Sequence, residues 1–488
     1  MRERCLCSSM QFAAIWLIGC ALAVRGGMLV AGREALRADP DDYRRLAENL
    51  VRHGTLGHGD QPTAFRPPLY PLLVAGCVVL GPRVQVSVGL LHLVAGLATV
   101  CLVYWMGRRW GLGRYAILGG VLVACDPILL AQSTLVMTET LATLLAMVAV
   151  AALSWAAEKA TWRRAGVAGG CLGLAALCRP TFLPCALVAA VVLPLILREW
   201  PSRIRAFAGL AAGIALVLAP WAVRNQVQWG RPILTTSHGG YTLLLGNNPQ
   251  FYEHLRSGAW GSVWDVKELE AARHQRLASL PPRTELQADR LAYEEALENI
   301  RREPGTFAYS CVVRMGRLWA PLPHQLTAEE SALRRWSRYA VALWYAVELP
   351  LAAIGVVLLW RPGVFALPVH VGEASGSRAN GGPPQSRPIV PGGMEATLTP
   401  SPPTPLPQGE RGVVPRNPRG EKGCATTGWI WWVLLAAMFT AVHALFWTDM
   451  RMRAPLMPGV ALAVAFTAGR IAEAIQSRNL LRRNGLAS

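Results

Sequence analysis

The sequence contains few charged residues: 16% of its 488 residues are charged, whereas 52% are hydrophobic. The apolar residues fall in blocks rather than at amphipathic spacing, and about ten blocks approach the roughly 20 residues that a helix needs to cross a bilayer. This composition excludes a soluble protein and predicts an all-α polytopic integral membrane protein. The predicted spans are 10–30, 84–106, 115–133, 136–156, 165–179, 181–197, 206–223, 339–360, 428–447 and 455–475.

Signatures of several other protein classes are missing. The eleven cysteines fall mostly inside predicted spans, where Cys behaves as a small apolar residue, and Cys311 is the clearest external one. A lone external Cys predicts no disulfide framework. The histidines show no spacing of a known metal-ligand set. No glycine-rich segment leads into a helix as a phosphate-binding loop does, so nothing indicates a nucleotide-sugar or ATP site.

Acidic residues are also scarce, with 30 Asp and Glu against 48 Lys and Arg, a net charge of +18. The basic residues are distributed over many membrane-flanking positions, which membrane orientation and anionic lipid head groups explain, so nucleic acid is not predicted as a partner. Basic loops accumulate on the cytoplasmic side. This rule places both termini inside and segments 31–83 and 224–338 outside, and the bacterial-style topology predicts an inner (plasma) membrane protein whose outer segments lie on the periplasmic or extracellular face.

The chain divides into five predicted regions. An N-terminal membrane module spans 1–223; its first outer loop, 31–83, carries helical spacing from Tyr43 to Val51 that predicts an interfacial helix, and 69–80 predicts a second. The small outer region 224–338 contains a predicted helix from Glu285 to about Arg302 and an interfacial apolar stretch from Phe307 to Trp319. The rest comprises a membrane helix at 339–361, a Pro- and Gly-rich, disordered cytoplasmic insertion at 362–427, and C-terminal membrane helices with a basic tail at 428–488.

The first segment also contains Leu17-Ile-Gly-Cys20, which looks like a bacterial lipoprotein cleavage box. The apolar run continues past Cys20 to Val24, so we interpret the segment as a membrane helix. Beyond it, the first outer loop carries three carboxylates in Asp39-Pro-Asp-Asp-Tyr43, followed by Arg66-Pro-Pro-Leu-Tyr-Pro71. Carboxylates held at the membrane surface beside a cationic segment indicate catalysis on a lipid-borne substrate.

These two motifs occur together with five others along the chain. Their order and placement resemble the polyprenyl-phosphate-dependent glycosyltransferases of the GT-C fold, and are most similar to bacterial relatives of protein O-mannosyltransferases and of the lipid A aminoarabinose transferase. The resemblance implies transfer of a hexose or pentose from an undecaprenyl- or dolichyl-type phosphate to a protein, lipid or glycan acceptor at the outer face. The other motifs are Met137-Thr-Glu-Thr140, Leu177-Cys-Arg-Pro-Thr181, Pro220-Trp-Ala-Val-Arg-Asn225, Gly246-Asn-Asn-Pro249 and Arg451-Met-Arg-Ala-Pro455.

The resemblance implies two catalytic carboxylates. Asp39 matches the acidic residue of the first outer loop, which can remove or polarise a proton of the acceptor. The competing interpretation is that Asp39 caps the following helix; we assign the cap to Asp42, which is also the alternative catalytic residue. Glu139 matches the second acidic site, which supports the acceptor or the first carboxylate, unless it only reaches water at its helix end. Asp126 is interpreted as an ordinary Asp-Pro loop residue.

The donor phosphate requires positive charge. Arg66 is the first candidate, because two prolines stiffen the backbone after it and its guanidinium can hold phosphate oxygens through two hydrogen bonds. The family commonly has Lys at this place, so Arg is a departure. Each arginine could instead anchor its helix to lipid head groups. Metal ligands are not predicted, although some family members use a divalent cation, which stays open. Further substrate-binding candidates are Tyr43, Arg224, Asn225, Arg451 and Arg453.

Two other functional classes compete with a transferase. A transporter or flippase of a lipid-linked or small solute is expected to show paired intramembrane charges and internal repeats. The sequence shows no clear repeat, and its charges cluster on one side of the membrane. A scaffold or receptor would leave the pairing of Asp39 with Arg66 without a use.

Overall fold

The computed structural model describes residues 2–258, 262, 264–279, 284–324, 330–359 and 418–483. These residues are mainly helical, with one short antiparallel hairpin formed by Gly57–His58 and Gln61–Pro62. The helices are α1 (Arg2–Ala31), α2 (Tyr43–His53), α3 (Leu69–Val79), α4 (Val84–Arg109), α5 (Ala116–Cys125), α6 (Pro127–Ser133), α7 (Glu139–Glu158), α8 (Trp162–Cys178), α9 (Phe182–Leu195), α10 (Trp200–Trp229), α11 (Gly239–Gly246), α12 (Pro249–Ser257), α13 (Lys267–Ala278), α14 (Glu285–Arg302), α15 (Pro304–Trp319), α16 (Ala332–Leu359), α17 (Pro418–Leu445) and α18 (Met457–Arg483), with 3-10 turns at Ala35–Arg37, Gly113–Tyr115 and Met450–Leu456.

The predicted membrane segments all coincide with helices. Within the described part of the chain, seven helices are long and apolar enough to cross a bilayer, and α5 with α6, bent by 46° at their junction, makes an eighth span if counted as one. The helices at the two remaining predicted spans, α8 with 17 residues and α9 with 14, are shorter than these seven helices. The prediction of an all-helical, multi-pass membrane protein is confirmed.

Close packing of α8 against α10 depends on glycine. A Cβ atom at Gly169 would lie 2.1 Å from the Leu210 carbonyl oxygen, and one at Gly213 would lie 2.1 Å from the Gly166 carbonyl oxygen. Only glycine allows two helix backbones to approach this closely, as is common in membrane helix pairs. The pair ends at Arg179, which follows α8, and near Arg224 in the last turns of α10.

The first outer loop forms the two short helices that the sequence predicts, α2 and α3, neither long enough to span a bilayer. Arg224 fastens the loop to α10 by donating from Nη2 to the Leu56 carbonyl (3.1 Å) and from Nη1 to the Thr63 carbonyl (3.0 Å). Glu285, the first residue of α14, accepts hydrogen bonds from the Thr63 hydroxyl (2.6 Å) and the Ala64 amide (3.0 Å). The first outer loop is therefore fixed to both the membrane helices and the outer region.

The outer region follows the predicted elements closely. Helix α14 has the predicted bounds because Thr284 and Gln287 form a reciprocal capping box at its start. Helix α15 covers the predicted apolar stretch. The predicted insertion at 362–427 lies mostly outside the described residues, but α17 begins at Pro418 rather than at 428.

Candidate active site

Glu139 is the most deeply buried of the predicted site carboxylates, with 1% of its side chain exposed at the first turn of α7. Its Oε1 lies 3.4 Å from Nη1 of Arg179 and 3.9 Å from Nε of Arg451. Its Oε2 has no hydrogen-bond partner. The alternative interpretation, in which Glu139 reaches water at the helix end, is wrong because two guanidinium groups enclose the carboxylate.

The two arginines that flank Glu139 have weak partners on their other sides. Arg179 contacts the thioether of Met452, with 2.6 Å from Nη2 to Sδ, and Arg451 contacts that of Met137, with 3.0 Å from Nη1 to Sδ. Thioether sulfur is a weak acceptor. Nη1 of Arg179 and Nε of Arg451 are buried without a hydrogen bond. Two cations thus face two carboxylates, Glu139 and, 3.9 Å from Nε of Arg451, the half-exposed Asp449, and their unbonded N–H groups can bind an anion.

Arg179 was not among the predicted site residues. The sequence signal for it was the motif Leu177-Cys-Arg-Pro-Thr181, in which Arg179 follows the last residue of α8. In the structure Arg179 lies against the same carboxylate as Arg451, which is more than 270 positions further along the chain, and it also contacts Met452, the next residue after Arg451. Such a pairing depends on how α7, α8 and the 450–456 turn pack, and that packing is not encoded in any one motif.

Asp39 caps helix α2. Its Oδ2 accepts a hydrogen bond from the Arg45 amide at 2.9 Å, whereas Asp42 makes no side-chain capping bond and has a left-handed backbone with φ of 61°. The prediction that Asp42 provides the cap is therefore wrong. Oδ1 of Asp39 is buried without a hydrogen-bond partner, so one oxygen fixes the side chain and the other can act on a substrate.

The environment of Asp39 makes it a stronger base than an ordinary aspartate. Burial is the largest effect and raises the pKa of the carboxyl group; the negative charge of Asp42 raises the pKa further. Backbone N–H groups at the start of α2 act in the opposite direction without cancelling the rise. A base with a raised pKa is better matched to proton abstraction near neutral pH.

Tyr43 and Tyr70 lie near the two carboxylates, since the Tyr70 hydroxyl interacts with the charges of both Glu139 and Asp39. Their rings pack edge to face, with centroids 5.1 Å apart. Burial raises the pKa of Tyr43, whose hydroxyl also interacts with the charges of Arg66, Glu139 and Arg179. The Tyr70 hydroxyl lies 2.9 Å from Nε2 of His92. Tyr43, a predicted substrate contact, thus links the first outer loop to the Glu139 group.

Arg66 is engaged by an aspartate of the same loop. Its Nη2 lies 2.9 Å from Oδ1 of Asp41, its Nε donates to the Asp41 carbonyl at 3.2 Å, and its guanidinium lies 5.4 Å from the centre of the Tyr43 ring. The Arg66 side chain is 20% exposed and therefore mostly buried. A role in phosphate binding stays a prediction and would have to use Nη1.

Two cavities adjoin this group of residues. The first, of about 290 Å³, has Arg317, Asp449 and Arg451 among mainly apolar walls, and we call it the Arg451 cavity. The second, of about 490 Å³, is more polar and contains the Arg66–Asp41 pair; we call it the Arg66 cavity. The further lining residues of the Arg451 cavity include Pro127, Ile128, Ala131, Gln132, Pro323, His324, Val341, Trp447 and Met450.

Other predicted substrate contacts have their described partners elsewhere. Arg224 binds the first outer loop and lies over the rings of Trp221 and Trp229, at 4.8 and 4.9 Å. Asn225 donates to the Ile233 carbonyl at 2.9 Å. Arg453 points into a separate buried polar cluster. Their assignment as substrate contacts stays a prediction.

Metal binding has no support in the described ranges. Within them, no group of three or more His, Cys, Asp or Glu side chains is arranged to hold a metal ion. His92, which contacts Tyr70, has both ring nitrogens engaged: Nε2 faces the Tyr70 hydroxyl, and Nδ1 lies 2.8 Å from the Ser133 carbonyl. These contacts are consistent with a neutral imidazole that donates from Nδ1 and accepts at Nε2.

Comparison with known proteins shows a similarity over part of the chain. The family model described as dolichyl-phosphate-mannose-protein mannosyltransferase matches residues 65–223, about a third of the sequence. The matched part contains Arg66, Tyr70, Glu139 and Arg179, whereas Asp39 and Arg451 lie outside it. No curated protein matches the sequence.

A solved structure also resembles the chain. ArnT from Cupriavidus metallidurans, bound to undecaprenyl phosphate, is 15% identical, with 94% of this chain and 78% of that chain covered at a TM-score of 0.37. The part of the chain at 65–223 is similar to the mannosyltransferase family, in agreement with the resemblance seen in the sequence.

Proposed function

We propose that this protein transfers a sugar from a polyprenyl-phosphate donor to a hydroxyl or amine acceptor at the membrane surface. The observation that carries the proposal is the position of Glu139, buried between Arg179 and Arg451 at the edge of the Arg451 cavity. An ionisable group in a membrane helix is costly and therefore points to function. The name of the matched family supports the lipid-phosphate donor.

The Arg451 cavity has the chemistry that a lipid phosphate requires. Its walls are mainly apolar, which suits a polyprenyl chain, while Arg451 and Arg317 offer two guanidinium groups. Arg317 stacks on Phe251, 5.6 Å from the ring centre, and in the described part of the chain it makes no ion pair. Arginine is suited to phosphate because its planar fork can bind two oxygens at once. We therefore assign the donor phosphate to Arg451 and Arg317, with Arg179 behind them.

The transfer step follows from the remaining groups. The acceptor oxygen or nitrogen attacks the anomeric carbon, the carbon–oxygen bond to the phosphate breaks, and the phosphate leaves with the electron pair. Oδ1 of Asp39 accepts the proton from the acceptor. The arginines stabilise the charge that grows on the phosphate. Glu139 holds Arg179 and Arg451 in position.

The Arg66 cavity, which the Arg66–Asp41 pair lines, has the more polar walls of the two and suits water-soluble groups. We assign the acceptor to this side, where Arg66 orients it or contacts the phosphate through Nη1. The sugar and the acceptor molecule are set by cavity shape rather than by any local motif.

The test exchanges Asp39 for Asn. Asparagine is as good a helix cap as aspartate, so Asp39→Asn keeps the cap on α2 and removes the base. We expect transfer of label from radiolabelled undecaprenyl-phosphate mannose to membrane acceptors to fall by about 100-fold or more. Asp60→Asn is the matched control, because Asp60 is an exposed carboxylate of the same loop.

Undiminished transfer by Asp39→Asn would exclude the proposed base. Movement of label across liposomes without any transfer would instead establish a transporter. Asp39→Ala separates the two roles of the residue, because it removes both cap and base and is expected to lower thermal stability as well as transfer. Asp39→Asn is expected to lower transfer alone.

A further inference from the structure

Arg453 is completely buried and ties together two segments of the chain. Its Nη1 donates to the carbonyls of Leu318, at 3.0 Å, and Ala320, at 2.8 Å, at the end of α15. Its guanidinium lies 4.3 Å from the centre of the Tyr345 ring, on α16. Arg453 therefore faces away from Glu139, although it is only two positions after Arg451.

Tyr345 continues the connection to helix α6. Its hydroxyl accepts a hydrogen bond from the Ile128 amide (3.1 Å) and donates one to Oδ1 of Asp126 (3.1 Å). The same Oδ1 accepts from the Leu129 amide at 2.8 Å, which caps α6. The interpretation of Asp126 as an ordinary loop residue is wrong, since it is 2% exposed and joins two helices.

Each segment that this network connects also forms a wall of the Arg451 cavity. Helix α6 contributes Ile128 and its neighbours, the chain after α15 contributes Pro323, α16 contributes Val341, and the 450–456 turn contributes Arg451. We propose that Arg453, Tyr345 and Asp126 are positioning residues that hold the walls of the Arg451 cavity and the guanidinium of Arg451 in place. The expected effect of these residues on donor binding rests on the proposed function, whereas their expected effect on the position of α6 does not.

The charged residues around Tyr345 make the removal of a charge a poor test of this inference. Two carboxylates, Asp126 and Glu348, share the region with Arg453 and with Arg25, which donates to the Val123 carbonyl at 2.7 Å. Removing one partner from such a buried group leaves an uncompensated charge and can unfold the protein. Removing only a hydroxyl leaves the charges unchanged.

The experiment therefore uses Tyr345→Phe, with Tyr339→Phe as the control. Tyr339 lies on the same helix and is exposed, so its hydroxyl is outside the network. Hydrogen exchange of the protein in nanodiscs is measured first. We expect faster exchange at the start of α6 in Tyr345→Phe, because the Ile128 amide loses its acceptor, and unchanged exchange in Tyr339→Phe.

Steady-state kinetics with undecaprenyl-phosphate mannose give the second measurement. We expect Tyr345→Phe to raise the KM for the donor by about fivefold to tenfold, the effect of one lost buried hydrogen bond, with a smaller change in kcat and none in the KM for the acceptor.

Two results would overturn the inference. Unchanged exchange at α6 would show that the hydroxyl does not hold that helix, whatever the kinetics. A fall in kcat with no change in the KM for the donor would show a general structural effect rather than positioning of the cavity. If exchange changes as expected but the native protein neither binds undecaprenyl phosphate nor transfers sugar from its mannose derivative, the proposed function fails while the positioning of α6 stands.

Discussion

Replacing Glu139 with Gln should weaken the fold and tighten the binding of lipid phosphate. The substitution keeps the shape of the side chain and removes the negative charge between Arg179 and Arg451, which lie 3.4 and 3.9 Å from its Oε1. At an effective dielectric of about 20, each contact corresponds to roughly 4–5 kcal/mol of Coulomb attraction. The cost of burying Glu139 offsets much of this sum.

The solvent exposure of Arg451 further reduces the stability that the protein would lose with the Glu139 charge. Arg451 is 32% exposed and can regain hydration, whereas Arg179 is 11% exposed and cannot. Breaking a fully buried pair costs about 3–5 kcal/mol, so we expect Glu139→Gln to lower the free energy of unfolding by about 2–3 kcal/mol. Thermal denaturation in detergent measures this change as a lower Tm.

The effect on phosphate has the opposite sign. Without Glu139, Arg179 loses its close carboxylate and Arg451 keeps the half-exposed Asp449 at 3.9 Å, so an anion gains more by binding to the two guanidinium groups. We expect the Kd for undecaprenyl phosphate, measured by calorimetry in nanodiscs, to fall by about tenfold, which corresponds to about 1.4 kcal/mol. Turnover should fall, because the leaving phosphate is released more slowly and the arginines lose their fixed positions.

Glu158→Gln is the matched control. Glu158 ends the same helix and pairs with Arg109 at 2.6 Å, on a more exposed surface, so its loss should change neither phosphate binding nor turnover. Weaker or unchanged phosphate binding in Glu139→Gln would refute the reasoning. It would mean that the two arginines serve only to neutralise the carboxylate.

Two further predictions concern the base and the helix packing. Asp39 must be deprotonated to act and its pKa is raised, so activity should be lost on acidification at a higher pH than an ordinary aspartate would give. Asp42→Asn removes a negative charge that raises this pKa, so the acid limb of the pH profile of kcat/KM should move to lower pH. A shift of that limb to higher pH would contradict the assignment of Asp39 as the base. Gly213→Ala should lower the Tm and reduce the free energy of unfolding by about 1–3 kcal/mol or more, because its Cβ atom would lie 2.1 Å from a backbone oxygen. Gly170→Ala is the control and should not lower the Tm, because the nearest atom to its Cβ would be 3.8 Å away. Equal Tm values for the two variants would contradict the packing argument.

The sequence predicted the helices well because the bilayer constrains them strongly. Each span must be apolar over most of its length, and that pattern can be read directly. Helix α14 was predicted from Glu285 to about Arg302 and has those bounds, since its capping box is a local signal. In the first outer loop, α2 was predicted from its helical spacing, and α3 from an apolar, proline-flanked run too short to span a bilayer.

The pairing of polar groups could not be predicted in the same way. Asp39 and Asp42 are three positions apart, and which of them caps α2 depends on the left-handed backbone at Asp42. Asp126 looked like a loop residue because its partner, Tyr345, lies more than 200 positions away. Arg224 was expected to bind substrate, but its bonds to the first outer loop depend on how that loop folds back.

The location of the site follows from the constraint that made the helices predictable. Apolar spans exclude charge from their middle, so the residues that can perform acid–base and phosphate chemistry collect where helices begin and end. Glu139 begins α7, Arg179 follows α8, Asp39 precedes α2, and Arg451 precedes α18. These helix ends come from separate parts of the chain, and in the proposed function the donor phosphate lies beside them. The glycine-packed helices and the buried network around Tyr345 keep these ends in register, which is why we expect changes far from Glu139 to alter donor binding.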